Sequence, residues 1–135
     1  MRAVLTRGDD RFLELRDRTA VAHKHKADLF LSIHADAVAK GRARGSSVYA
    51  LSEHGATSEA ARLLAARENA AGMPAGLAVA GQDRVLRSVL LDLSQSATLK
   101  ASDDAANHVL AALKRVGKTH KPHVERANFV VLRSP

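Results

Sequence analysis

Apolar and polar positions alternate in blocks whose period changes along the chain. Val4-Leu5-Thr6 reads as a short strand. Phe12, Leu15, Thr19 and Ala22 recur at helical spacing and predict a helix over residues 11–25, capped by Asp9 or Asp10. Residues 29–33 are a short apolar run, expected to be a buried strand of a mainly parallel sheet, and residues 46–51 are a second strand candidate. Thr57 or Ser58 can cap a helix reaching Ala71, with Glu59 in its first turn and Gly72 past its end. Residues 73–82 carry Pro74 and two glycines and read as a loop. From Asp83 the positions Val85, Leu86, Val89, Leu90 and Leu93 outline an amphipathic helix. A separate helix is expected from Ser102, opened by Asp103 and Asp104, closed by Lys114, Arg115 and Gly117, and burying Ala106, Val109, Leu110, Leu113 and Val116. Residues 129–132 predict a last buried strand. The order β-α-β-β, three helices, β implies an α/β fold, a mainly parallel sheet with flanking helices and a helical insertion.

Composition changes this picture little. The 135 residues are 46% hydrophobic and 26% charged, which suits one globular domain. Phe12, Phe30, Tyr49 and Phe129 are the only aromatics, so Leu, Val, Ile and Ala must build the core. With no Cys there is neither a disulfide framework nor a thiolate metal site. No apolar run approaches the ~18 residues of a membrane span, and the apolar start ends at Thr6-Arg7, too soon for a secretory signal. The net charge of +7 favours polyanionic partners, from nucleic acid to cell wall. Its cations are spread along the chain with no stacking aromatics among them, which ranks nucleic-acid binding last.

His34 is the residue with most chemical content. It falls at the carboxyl end of an expected buried strand, where open α/β sheets bind ligands, and its imidazole can take a metal on one nitrogen. Asp36, two positions on, falls on the same face of an extended chain. The remaining histidines form no i, i+4 pair of a helical zinc motif, and there is neither a Gly-rich phosphate loop nor a nucleophile elbow. His23 and His25 sit between lysines, His54 is in a loop, His108 is helical, and His120 and His123 flank Lys121-Pro122.

The run ADLFLSIHADA at residues 27–37, with LTR at 5–7 before it, resembles a motif block of the zinc-dependent N-acetylmuramoyl-L-alanine amidases. Similar stretches follow at 45–49 (GSSVY), 65–69 (AAREN), 90–93 (LLDL), 120–121 (HK) and 131–135 (VLRSP). They point to the cell-division subgroup, whose domain carries a helical insert, here about residues 53–118. The resemblance implies cleavage of the amide between N-acetylmuramic acid and L-alanine in periplasmic peptidoglycan. In that family two His and a Glu hold zinc, and a second Glu acts on the metal-bound water. His34 matches one His ligand, and Asp36 is a candidate for the shell around it. The other three residues belong to blocks outside residues 1–135, so the resemblance implies a domain short at both ends. No catalytic residue is expected within the chain, and zinc is expected to bind weakly. Glu68 matches the acid of the inserted helix that closes the zinc's open position until an activator, of the LytM-domain type, releases it. His23 stands where the family usually has Asn. A non-catalytic regulatory fragment is the alternative reading.

Overall fold

The computed structural model describes residues 1–35, 44–52, 54–71 and 88–133, with backbone alone for 88–95. Among the described residues three helices, α1 (Leu15–Lys24), α2 (Glu59–Ala71) and α3 (Ser88–Val116), surround a parallel pair of strands, β1 (Tyr49–Leu51) and β2 (Glu125–Ala127). A 3-10 turn at Val130–Leu132 follows β2. This is the α/β class expected, as part of a layered domain.

The register pairs Tyr49 with Glu125, Ala50 with Arg126 and Leu51 with Ala127. Side chains alternate across a strand, so each face meets a different helix. Ala50 packs with Ala106 and Leu110 of α3 and with Val124. On the same face Arg126 Nε donates to Asp103 Oδ1 at 2.9 Å, and that hydrogen bond raises the guanidinium pKa above its ordinary value. The opposite face carries Ala127, which joins Leu15 of α1, Ala61 and Ala65 of α2, Phe129 and Val131 in the main core. Tyr49 packs there too, its ring edge-on to Phe129 at 5.4 Å.

Helix α2 forms as its sequence predicts. Ser58 is the cap, its Oγ accepting from the Ala61 amide at 3.1 Å. Thr57 instead pairs with the main chain of Arg126. Alanines at 61 and 65 are buried, which lets the helix approach the sheet closely.

Several expectations are overturned. Residues 4–6 form no strand, and Leu5 is 80% exposed. Helix α1 starts at Leu15, with Glu14 in the cap position; Asp9 pairs with Arg11 instead, and Phe12 is exposed. Residues 29–33 lie outside the sheet: Phe30 packs on the core, whereas Leu29, Leu31 and Ile33 face outward. A strand needs a neighbour for its backbone groups, and among the described residues the only ladder is β1–β2. The second strand shortens to Tyr49–Leu51, with an isolated parallel bridge between Ser46 and Thr119.

The two helices expected after residue 83 are one. Residues 94–101 contain neither Gly nor Pro, so nothing stops α3, and Asp103 and Asp104 lie inside it. Ala106 and Leu110 are buried as expected, but Val109 and Val116 are exposed. The last strand falls at Glu125–Ala127 rather than 129–132. There the chain turns back on itself, Leu132 N–H donating to Phe129 and Arg133 N–H to Val130, while Phe129 and Val131 still reach the core. Asp36, the 73–82 loop and the start of the helix from Asp83 lie outside the described residues.

Candidate functional site

The segment after α1 and the C-terminal half of α2 meet at one pair of side chains. His34 Nδ1 lies 3.1 Å from Glu68 Oε2, with the imidazole about one third and the carboxylate about one quarter exposed. The other ring nitrogen, Nε2, lies 2.8 Å from Ser32 Oγ. An ionised carboxylate only accepts, so beside it Nδ1 is the donor, and in that tautomer of the ring Nε2 accepts the hydrogen bond of the Ser32 hydroxyl. Both nitrogens are thereby engaged.

Glu68 reaches this position because α2 is tied at both ends. At its start, Ser58 Oγ donates to Glu125 Oε1 at 2.5 Å while capping the helix. Glu125 is 1% exposed, and its second oxygen has no protein partner. Near its end, Asn69 Nδ2 donates to the Asn128 carbonyl at 2.8 Å, and the Val130 amide donates to Asn69 Oδ1 at 2.8 Å. One side chain thus satisfies a donor and an acceptor of the segment after β2.

The structure therefore joins His34 and Glu68, residues 34 positions apart, and ends each at the other. Neither Ser32 nor Asn69 was assigned a role from the sequence. Ser32 had a usable signal, since an i−2 residue shares a face with His34 in extended chain. Asn69 had none beyond its place in the AAREN run. Among the described residues no group of three His, Asp or Glu side chains is placed to hold a metal. Zinc takes three or four protein ligands, so one imidazole and one carboxylate do not by themselves fit it.

An irregular segment carrying Ser32 and His34 is thus held against Glu68 of α2, beside the parallel strand pair. The chain belongs to the N-acetylmuramoyl-L-alanine amidase family (Amidase_3), which it matches over residues 1–135. It is 48% identical over 133 residues to the N-acetylmuramoyl-L-alanine amidase AmiA of Escherichia coli, covering 98% of this chain and 46% of that protein. Over 135 residues it is 44% identical to AmiC of Escherichia coli, all of this chain and 32% of that one. AmiC of Neisseria meningitidis is 43% identical over 131 residues, 97% of this chain and 31% of the relative. The chain spans less than half the length of these curated relatives.

Proposed function

We propose that this chain is part of a peptidoglycan hydrolase that cleaves the amide between N-acetylmuramic acid and L-alanine, and that Glu68 holds His34 in an inactive pairing. The observation that carries the reading is the direct contact of the His34 ring with the Glu68 carboxylate at 3.1 Å. Family membership supports the reaction, and the contact supports the regulatory reading. His34 contributes one zinc ligand to a site whose other ligands are not among the described residues. Asp36 serves the shell around it. Residues 53–118 act as a regulatory insert, displaced by an activator protein of the LytM-domain type. Because the substrate is cell-wall peptidoglycan, the working location is extracytoplasmic, the periplasm in a Gram-negative cell. Among the described residues no helix is long and apolar enough to cross a membrane. The 135-residue chain by itself binds zinc weakly and does not turn over peptidoglycan, since one imidazole and one carboxylate make too small a donor set.

One observation favours a second role for Glu68. Its carboxylate bonds Nδ1, which leaves Nε2 as the lone-pair nitrogen, shielded only by the Ser32 hydroxyl. A carboxylate on the distal nitrogen is how metal-ligating imidazoles are oriented. The two roles predict opposite signs in an enzyme carrying this segment with a complete ligand set. If Glu68 blocks, Glu68→Ala raises activator-free release of stem peptides from sacculi with zinc content unchanged. If Glu68 orients, the same change lowers zinc affinity about 10–100-fold and lowers the rate with it. An unchanged rate and an unchanged zinc content would remove both roles.

A further inference from the structure

The positive charge, which looks dispersed in the sequence, is gathered by the fold at one end of the molecule. The loop entering β1 and the loop entering β2 are joined there. Ser46 N–H donates to the Lys118 carbonyl at 3.0 Å, and His120 N–H donates to the Ser46 carbonyl at 2.9 Å. Gly45 makes the approach possible. It has φ +99°, and a Cβ there would stand 2.8 Å from His120 N and 2.9 Å from Lys118 O. The C-terminal turn of α3 closes the same end, with Lys114 Nζ donating to the Pro122 carbonyl at 2.6 Å.

These three segments bring together Arg44, Lys114, Arg115, Lys118 and Lys121, with His120 and His123 among them. No acid lies between Asp36 and Glu53 or between Asp104 and Glu125, and Glu125 is buried on Ser58. Without the five cations the chain holds 16 Lys and Arg against 14 Asp and Glu, a balance of +2 instead of +7. Most of the net charge is therefore one surface. Helix α2 is tied to the start of β2 by Ser58 and beyond its end by Asn69, and Glu68 adjoins the second tie. The basic loops precede both strands, so they stand at the opposite end of the ladder from the His34–Glu68 pair.

We propose that this end is a holding surface for the carboxylate-bearing cell-wall polymer, separate from the reacting site; the choice of polymer rests on the amidase reading. Residues 44–48 and 114–123 contain no Phe, Tyr or Trp, which leaves out the large rings of the stacking platform that single-stranded nucleic acid uses. Lysines on exposed loops are point charges on flexible stems, suited to spaced carboxylates on a network rather than to one bidentate ligand. Such a surface keeps the protein on an insoluble polyanion between encounters of the site with an amide bond.

Retention of the full chain on purified sacculi tests this, read without turnover. Lys118→Glu with Lys121→Glu should weaken retention about tenfold or more at about 0.1 M salt, where the screening length is about 10 Å. Arg2→Glu with Arg16→Glu changes the net charge equally at exposed positions elsewhere and should leave retention within about twofold. At about 1 M salt all three proteins should be released, because screening falls to about 3 Å. Sacculi whose carboxylates have been amidated should hold none of them. If the double Glu variant fails to fold by circular dichroism, Lys118→Gln with Lys121→Gln removes half as much charge and should show a smaller loss in the same direction. Equal loss in both charge-reversed pairs, full retention on amidated sacculi, or tighter retention on duplex DNA than on sacculi would overturn the proposal. Each of those results leaves the amidase reading standing, and an inactive parent enzyme with intact retention would count against that reading alone.

Discussion

Replacing Asn69 by Ala removes a side chain that bonds two main-chain groups of the segment after β2. The Val130 amide loses its acceptor and the Asn128 carbonyl loses its donor, both at 2.8 Å. Each such bond contributes about 0.5–1.5 kcal/mol net, and a buried group left unsatisfied costs about 1–3 kcal/mol. Asn69 is half-buried, so water can reach part of the gap, which places the loss near the lower end. Ala is also the better helix former, returning up to about 0.7 kcal/mol. The expected net loss is about 1–2.5 kcal/mol. Asn107→Ala supplies the control: its amide donates to Asp103 O within α3 at 2.9 Å on an exposed face, and its removal should be neutral within about 0.5 kcal/mol or slightly stabilising. Urea unfolding measures both, and with a slope of about 1–3 kcal/mol/M the Asn69 midpoint should fall by roughly half to one molar. Matching midpoints for the two variants would refute the idea that Asn69 fastens α2, and with it the account of how Glu68 is aimed.

Gly45→Ala should destabilise by about 1–3 kcal/mol, since it combines a left-handed backbone with a clash against the 118–120 main chain. Gly55→Ala, at φ +72° with nothing within 4 Å, should cost only about 1 kcal/mol, so equal losses in thermal unfolding would contradict the packing argument. The hydrogen bond from the Arg62 guanidinium lowers the Glu59 pKa below its ordinary 4.5, against desolvation and with a smaller contribution from the Arg62 charge. A depressed carboxylate contributes its stability above the unfolded value and loses it as pH falls through the folded one, and NMR titration should find Glu59 at a higher midpoint in Arg62→Ala. Leu29, Leu31 and Ile33 expose an apolar row, so the chain should self-associate with rising concentration, and Leu31→Lys with Ile33→Lys should reduce this in sedimentation velocity. An unchanged sedimentation profile would remove that row from the interface.

Helix α2 was legible in the sequence because all its signals are local: a Ser cap, an acid in the first turn, alanines at the buried spacing. Helix α1 and the second half of α3 were legible from helical spacing alone, since their expected caps are not the ones the structure uses. The break expected before Ser102 was wrong because Asp103 and Asp104 look like a helix start; the Asp103 carboxylate is instead spent on Arg126, a partner 23 residues away. Residues 29–33 and 129–132 have the apolar composition of strands, yet strand formation depends on a neighbour that a one-dimensional pattern does not supply. Val109, expected to be buried, is exposed because Ala106 and Leu110 are the α3 residues that pack on Ala50 and Val124. Within the site, the motif picked out His34 and Glu68 separately. Their contact, and the ties from Ser58 and Asn69 that produce it, span 34 to 67 residues and had no local signature.

The most direct test exchanges residues 1–135 for the matching segment of AmiA from Escherichia coli, with which the chain shares 48% identity over 133 residues. The chimaera supplies whatever ligands lie outside this segment, and the assay is release of stem peptides from purified sacculi. The account predicts that the chimaera cleaves once an activator protein of the LytM-domain type is added, that His34→Ala in it does not, and that the loss is accompanied by loss of bound zinc. A folded chimaera whose His34→Ala variant releases stem peptides at the parent rate would contradict the assignment of His34 and the site built around it.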